Sequence, residues 1–314
     1  MKEKVKAGIL GLCTADALGV PVEFSSRLEL KTRPVSGMQG FGTHCQPPGT
    51  WSDDSSMALA LLDSLCSGLD YEDIMARFRL FLHQGSYTPY GKVFDVGMTC
   101  SDAINRSTNL PATRCGGTQE SDNGNGSLMR ILPLAFYLYA HYGEDFWREK
   151  AAIETIHNVS SLTHGHPRSL ISCGIYLSIA VLLDRLPPAE AVHVGAARAW
   201  DWYAVQEGFA LELAHFAWLR DAAFAFLPEE EIRSSGYVVD TLEAALWCLL
   251  NADSYKSCVL AAVNLGGDTD TVAAVAGGLA GIAYGLRAIP REWLGTLARA
   301  DYINSLCTAF ADTL

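Results

Sequence analysis

Apolar residues recur with the spacing of an α-helix along most of this chain, and that repetition restricts the possible folds more than any other sequence feature. Alternation with a period of two is nearly absent, and no β-α-β rhythm occurs. The predicted helices cover residues 2–20, 54–67, 70–83, 95–106, 127–142, 146–162, 167–184, 188–200, 206–216, 237–251, 254–264, 270–287 and 290–312. We therefore predict an all-α fold with a single domain over residues 1–314. Its long irregular segments, 21–53, 85–94 and 107–126, are the natural places for function.

The composition excludes some classes of protein. Hydrophobic residues make up 49% of the 314 residues and charged residues 18%, which is enough for a large core. The net charge of −12 argues against a protein that binds nucleic-acid backbones. A small ligand that carries phosphate stays possible, because backbone N–H groups can hold phosphate on an acidic protein.

Cysteine usage and hydropathy indicate the compartment. The nine cysteines are scattered without a C-x-x-C pair, so they predict neither a disulfide framework nor a zinc knuckle. Asp16 interrupts the apolar N-terminal run, which argues against a signal peptide. The apolar stretch 271–286 is shorter than the roughly 18 residues that span a bilayer. We expect a cytoplasmic protein with reduced cysteines and no membrane partner.

Two pairs of aspartates stand at the starts of two apolar helices. One lies in "WSDDSSMALALL", at 51–62, and the other in "GGDTDTVAAVAGG", at 266–278. Each pair alone is most simply a helix cap. If the two helix starts meet, however, four carboxylates repel one another and a divalent cation would relieve the repulsion. Ligands that are all oxygen favour Mg²⁺, Mn²⁺ or Ca²⁺ over zinc, and two such motifs can hold two ions.

Other motifs place polar groups beside apolar helices. The turn "GNGS", at 124–127, leaves backbone N–H groups free for an anion, although a plain N-cap explains it equally well. His164 in "SSLTHGHPRS" is suited to donate a hydrogen bond to a phosphate or a ribose. Asp16, inside an apolar helix, requires a partner such as a backbone N–H or an arginine. Glu23 projects from a loop, and Asp95 before a glycine is either a cap or a functional residue.

Taken in order, the motifs resemble the ADP-ribosylglycohydrolase family. They are "ADALG…E", "WSDDSSMA", "FDVGMT", "NGSLMR", "SLTH", "GYVVDTLEAALW" and "NLGGDTDTVAAVAGGLAG", and they extend from about residue 5 to residue 285. The likeness is strongest to the bacterial branch typified by dinitrogenase reductase-activating glycohydrolase, which removes ADP-ribose from arginine. The resemblance implies an orthogonal all-α fold with two Mg²⁺ or Mn²⁺ ions at the floor of an ADP-ribose cleft.

The resemblance also implies roles for individual residues. The implied metal ligands are Ser52, Asp53, Asp54, Asp268, Asp270 and Thr271. The implied catalytic residues are Glu23, Asp95 and Asp54. The implied ligand-binding residues are Asn125, Gly126, Ser127, His164, Tyr237, Gly266 and Gly267. This chain has Ser52 where the family more often has Thr, but either residue supplies a hydroxyl oxygen.

The function that follows is metal-dependent hydrolysis of the N-glycosidic bond between ADP-ribose and arginine in a modified protein, with ADP-ribose as product. Two kinds of alternative stay open. The same cleft could act on serine-linked ADP-ribose, O-acetyl-ADP-ribose, poly(ADP-ribose) or modified nucleic acid. The chain could also be a non-catalytic or immunity protein that binds an ADP-ribosylated partner.

Overall fold

The computed structural model describes residues 1–221 and 223–314. These residues form fourteen α-helices: α1 Lys2–Gly19, α2 Arg27–Thr32, α3 Asp53–Leu65, α4 Tyr71–Gln84, α5 Met98–Arg106, α6 Leu132–Tyr142, α7 Lys150–Ser161, α8 Pro167–Leu182, α9 Pro188–Tyr203, α10 Val238–Leu250, α11 Tyr255–Asn264, α12 Thr269–Tyr284, α13 Arg291–Thr296 and α14 Ala300–Ala311. Pairing between extended segments, within this part of the chain, is limited to two isolated β-bridges. The all-α prediction is confirmed.

Local chain chemistry explains where the predicted helices were wrong. The predicted helix 290–312 is two helices, α13 and α14, because Arg299 between them adopts a left-handed conformation with φ 49°. The segment 21–53 contains a short helix, α2, which Ser26 and Glu29 begin with a reciprocal capping box. Residues 206–216, predicted as α-helix, form turns followed by a 3₁₀ helix, Glu212–Arg220.

The contact between α1 and α12 fixes the centre of the fold, and it depends on small residues. A Cβ at Gly277 of α12 would lie 2.3 Å from Cβ of Ala15 in α1. A Cβ at Gly19 would lie 2.4 Å from Cα of Asp270. The Thr269 hydroxyl donates to the carbonyl of Gly19 at 2.8 Å and ties the start of α12 to the end of α1. Only glycine allows so close an approach of two backbones.

Helix α1 is apolar enough to resemble a membrane span, yet its surface is used inside the protein. The span Lys2–Val22 meets the length and hydropathy of a bilayer-crossing helix, and 94% of its most apolar window is buried. Its buried side chains join those of α3 and α12 in one connected hydrophobic core. The core therefore surrounds the helix ends that carry the aspartates.

Candidate active site

Three helix ends meet at the bottom of a cleft. Asp16 lies near the end of α1, Asp54 in the first turn of α3 and Asp270 in the first turn of α12. One carboxylate oxygen from each lies within 4.8 Å of the other two. The Thr271 hydroxyl donates to Oδ2 of Asp54 at 3.4 Å and links the starts of α3 and α12 directly. The two aspartate-bearing helix starts thus meet, as the metal hypothesis required.

A second group of carboxylates continues from the first. Glu23, Asp268 and Asp270 each place a carboxylate oxygen within 4.8 Å of the others, so Asp270 belongs to both groups. We call these five residues (Asp16, Glu23, Asp54, Asp268 and Asp270) the carboxylate floor. Four of the five are buried, and Asp268 is partly exposed. Such crowding of carboxylates is unfavourable unless protons or cations share the site.

Burial and mutual repulsion keep protons on the carboxylate floor. Burial, followed by the charges of Asp95 and Asp268, raises the pKa of Glu23 to about 9. Burial outweighs hydrogen bonds from Ser55 and Ser52 and raises the pKa of Asp16 to about 7. The pKa of Asp54 and that of Asp270 are raised well above the usual range, first by burial and then by neighbouring carboxylates.

The residues of the floor fit a divalent cation. Oδ1 of Asp54 is buried and has no hydrogen-bond donor in the described part of the chain. The oxygen atoms gathered around it are hard ligands of the kind that Mg²⁺ and Mn²⁺ prefer. A cation would satisfy this oxygen and offset the repulsion that raises the pKa values.

The opposite side of the cleft presents hydrogen-bond donors. Gly124, Asn125 and Gly126 lead towards His164, which is buried but lines the cleft. A Cβ at Gly126 would lie 2.8 Å from Cε1 of His164 and 2.5 Å from Sγ of Cys100, so only glycine fits. We call Gly124–Gly126 with His164 the donor wall. Glu23 and Asp268 of the floor line this cleft together with the wall, and its volume is about 370 Å³.

A buried arginine is linked to His164 through a threonine. Nη2 of Arg130 donates to Oγ1 of Thr163 at 2.8 Å, and Oγ1 of Thr163 lies 2.9 Å from Nδ1 of His164. The threonine oxygen accepts from the arginine and can donate its own hydrogen to Nδ1, an arrangement in which the neutral ring carries its proton on Nε2. Burial, followed by the charge of Arg130, lowers the pKa of His164 to about 3 and keeps the ring neutral. His164 is therefore a neutral donor at the cleft.

The comparisons with known proteins agree with this geometry. The family model described as ADP-ribosylglycohydrolase matches residues 1–314. The chain belongs to the ADP-ribosylglycohydrolase family. It is 34% identical over 300 residues to the ADP-ribosyl-[dinitrogen reductase] glycohydrolase of Rhodospirillum rubrum, covering 94% of this chain and 90% of the relative. It is 32% identical to the ADP-ribosylarginine hydrolase Tri1 of Serratia proteamaculans, covering 97% of this chain and 78% of that protein.

A solved structure supports the same assignment. The chain matches an ADP-ribosylglycohydrolase-related protein complex with a TM-score of 0.76 and 29% identity, over 99% of this chain and 98% of the other. The chain is thus a glycohydrolase enzyme with the ADP-ribosylglycohydrolase fold, and its acidic clusters are suited to bind metal.

The structure gives two of the implied metal ligands different surroundings. Asp53 lines the cleft and accepts a hydrogen bond from the Gly97 backbone at 3.3 Å, but it belongs to neither carboxylate group described above. Burial, followed by the charge of Asp95, raises its pKa well above the usual range. Ser52 is the N-cap of α3, and its hydroxyl donates to Oδ2 of Asp54 at 2.8 Å. Ser52 is therefore both a cap and a neighbour of the floor.

The phosphate-binding turn that the resemblance implied lies in the donor wall, with its side chains used elsewhere. The Asn125 amide donates to Oδ2 of Asp268 at 2.8 Å and to Oγ1 of Thr241 at 2.9 Å. The Ser127 hydroxyl is fully buried and lies 2.9 Å from Oγ of Ser160. Gly126 lines the cleft and can offer a ligand its backbone N–H group, whereas Ser127 does not line it.

Three implied ligand-binding residues lie outside the cleft lining. Gly266 and Gly267 both have positive φ, 75° and 74°, and a Cβ on Gly267 would lie 2.4 Å from the Ser234 carbonyl oxygen. These glycines make a tight turn instead of contacting the cleft. Tyr237 pairs with Gly124 through a β-bridge, and its hydroxyl accepts from Nη1 of Arg168 at 3.4 Å. Its backbone therefore supports the donor wall from behind.

Two residues of the site were not assigned to it from the sequence. The backbone N–H groups of Ser52 and Ser55 donate to the carboxylate of Asp16 at 3.0–3.1 Å, which confirms the expected backbone partner and places Asp16 in the floor. Nε2 of His44 hydrogen-bonds Oε2 of Glu23, and Asp95 lies within 4.8 Å of both. His44 sits in an irregular loop, where no spacing rule identifies it.

Proposed function

We propose that this protein hydrolyses the N-glycosidic bond between ADP-ribose and an arginine side chain, and so reverses mono-ADP-ribosylation of proteins in the cytoplasm. The observation that carries the proposal is a cleft lined both by carboxylates of the floor, Glu23 and Asp268, and by the donor wall. The names of two relatives support the arginine linkage, because one is an ADP-ribosylarginine hydrolase and the other an ADP-ribosyl-[dinitrogen reductase] glycohydrolase.

The carboxylate floor is the proposed site of two divalent cations, Mg²⁺ or Mn²⁺. Asp16, Asp54 and Asp270 form one group of oxygens, and Glu23, Asp268 and Asp270 form the other. Cations bound there would polarise ribose hydroxyls and a water molecule and stabilise negative charge. Asp270 is shared by the two groups, which makes it the residue on which the proposal depends most.

The donor wall is the proposed site of the diphosphate. For this role the neutral His164 ring would present Nε2–H to the cleft, beside the backbone N–H group of Gly126. Neutral N–H donors can bind an anion without a positively charged side chain. Their hydrogen bonds to charged phosphate oxygens are stronger than hydrogen bonds between two neutral groups. The wall would thereby set the position of the ribose over the floor.

Glu23 and Asp95 are the proposed acid and base. Both line the cleft, and His44 holds one oxygen of Glu23 by a hydrogen bond, leaving the other free to exchange a proton. A carboxyl whose pKa is raised towards neutrality can protonate the departing guanidine nitrogen and later accept a proton from water. Burial raises the pKa of Asp95 as well, so either residue can serve.

The test is hydrolysis of a protein ADP-ribosylated on arginine, with and without chelator, followed by metal analysis of the purified protein. We expect release of ADP-ribose, loss of release with chelator, and recovery with Mg²⁺ or Mn²⁺. A matched serine-linked substrate is the control for linkage. Hydrolysis of the serine-linked substrate alone would overturn the arginine assignment, and binding without turnover in saturating Mg²⁺ would identify a binding protein.

A further inference from the structure

Two large apolar side chains stand almost free in solvent at the mouth of the cleft. Phe24 is 70% exposed and Met98 is 83% exposed, and both line the cleft. Most exposed apolar side chains on this protein lie elsewhere on its surface, and single ones need no explanation. Phe24 and Met98, however, both lie at the mouth of the same cleft, so they form an apolar surface that a partner can cover. We call Phe24 and Met98 the lip.

The lip lies next to the residues of the proposed chemistry. Phe24 follows Glu23 directly in the chain, and its ring centroid is 6.3 Å from that of His44, the residue bonded to Glu23. Met98 begins α5, three residues after Asp95. The donor wall, by contrast, is built from 124–126 and His164. The lip therefore flanks the end of the cleft where the bond would break.

The backbone holds Phe24 in an unfavourable conformation. Its φ of 64° lies in the left-handed region, which is unfavourable for a bulky residue. Two hydrogen bonds enforce it: Phe24 N–H donates to the Gly267 carbonyl at 2.7 Å, and Gly267 N–H donates to the Ser25 carbonyl at 2.9 Å. The exposed phenyl ring of Phe24 buries little apolar surface in the free protein. Packing therefore does not offset the unfavourable backbone conformation.

We infer that the lip binds the polypeptide segment that carries the modified arginine, and so distinguishes a protein substrate from a small one. The inference rests on the proposed function. The chain carries a net charge of −12, which complements a segment bearing guanidinium groups. An aromatic ring and a thioether bind guanidinium stems and neighbouring apolar side chains without fixed geometry.

The experiment compares one linkage in two settings, an arginine-ADP-ribosylated protein and free ADP-ribosylarginine. The lip variant is Phe24→Asn with Met98→Ser, because asparagine tolerates the left-handed backbone. The control is Phe41→Asn, which alters another exposed phenylalanine with positive φ, 69% exposed and φ 61°, outside the cleft lining. We expect kcat/KM of the lip variant to fall about tenfold on the protein and to stay within about twofold on free ADP-ribosylarginine.

The outcomes separate this inference from the proposed function. An equal loss of kcat/KM on both substrates would mean that the lip contacts ADP-ribose, and no loss on either would mean that the lip contacts neither part of the substrate. Each of these results overturns the inference. The proposed function still stands in both cases if the wild-type protein hydrolyses the arginine linkage. Wild-type protein that cleaves neither substrate would overturn the proposed function and the inference with it. A loss for Phe41→Asn equal to that of the lip variant would also count against the lip.

Discussion

The carboxylate floor and the donor wall face each other across one cleft, yet they handle charge in opposite ways. On the floor, five acidic groups crowd together, and the pKa values of Asp16, Glu23, Asp54 and Asp270 rise. Behind the wall, Arg130 is buried and has no ion pair with a carboxylate among the described residues, and Thr163 links it to the neutral His164. The cleft is thus prepared for cations on one side and for anions on the other.

The largest expected effect comes from removing one charge from the floor. Asp270→Asn preserves the shape of the side chain but takes away the oxygen charge that both groups share. We expect kcat/KM to fall about 10³-fold or more, because metal and acid–base positioning fail together. Metal analysis should show fewer bound ions. Asp312→Asn, at an exposed ion pair with Lys2, should retain full activity. Full activity in Asp270→Asn would contradict the view that the floor binds cations while the wall binds anions.

The next effect is a pH dependence of stability in chelator. The pKa values of Asp16 and Glu23 are raised from 3.8 and 4.5 in ordinary chains to about 7 and about 9 in the fold. Between those limits the folded protein binds more protons than the unfolded chain, so the free energy of unfolding falls as pH rises from about 4 to about 9. Each group contributes about 1.4 kcal/mol per pH unit within its window. Denaturant titrations would measure the slope.

Mg²⁺ should flatten that slope, because a bound cation takes over the role of the protons. His164 contributes a slope of the opposite sign below about pH 6.5, since the unfolded chain protonates this histidine there while the folded protein keeps it neutral. A slope that Mg²⁺ leaves unchanged would mean that the cation does not bind the floor.

The smallest expected effect concerns the wall. Thr163→Val removes the hydroxyl between Arg130 and His164, so the ring proton is no longer held on Nε2. We expect kcat/KM to fall about tenfold, mainly through KM, for the loss of about one oriented hydrogen bond to the ligand. Nitrogen NMR of His164 should show mixed tautomers in this variant and a single one in wild type. Thr163→Ser, which keeps the hydroxyl, should restore both the tautomer and the activity.

The sequence predicted the floor better than the wall, for a physical reason. Aspartates at the starts of apolar helices are visible as a pattern, and Asp54 and Asp270 do meet. Asp16 enters the floor only because α1 and α12 approach closely at glycines, which no local pattern reports. His44 depends on the path of an irregular loop. In the wall, the turn was visible, but the Asn125 amide pairs with Asp268 through a tertiary contact.

The same distinction applies to the fold. Helix existence followed from apolar periodicity, since thirteen strongly periodic segments were visible in the chain. The break before Arg299 and the 3₁₀ helix Glu212–Arg220 depend on local backbone angles that periodicity does not encode. The two adjacent glycines, Gly266 and Gly267, could be read from the sequence. The close approach of Gly267 to the Ser234 backbone could not.

The close contact between α1 and α12 has a consequence for hydrogen exchange. Asp16 and Asp270 sit on the two helices whose backbones are least able to separate, because Gly19 and Gly277 leave no space between them. Amide protons around these aspartates should therefore exchange with solvent only when the whole protein unfolds. Substrate would then enter and product leave through the mouth of the cleft, because the contact between α1 and α12 stays closed during turnover.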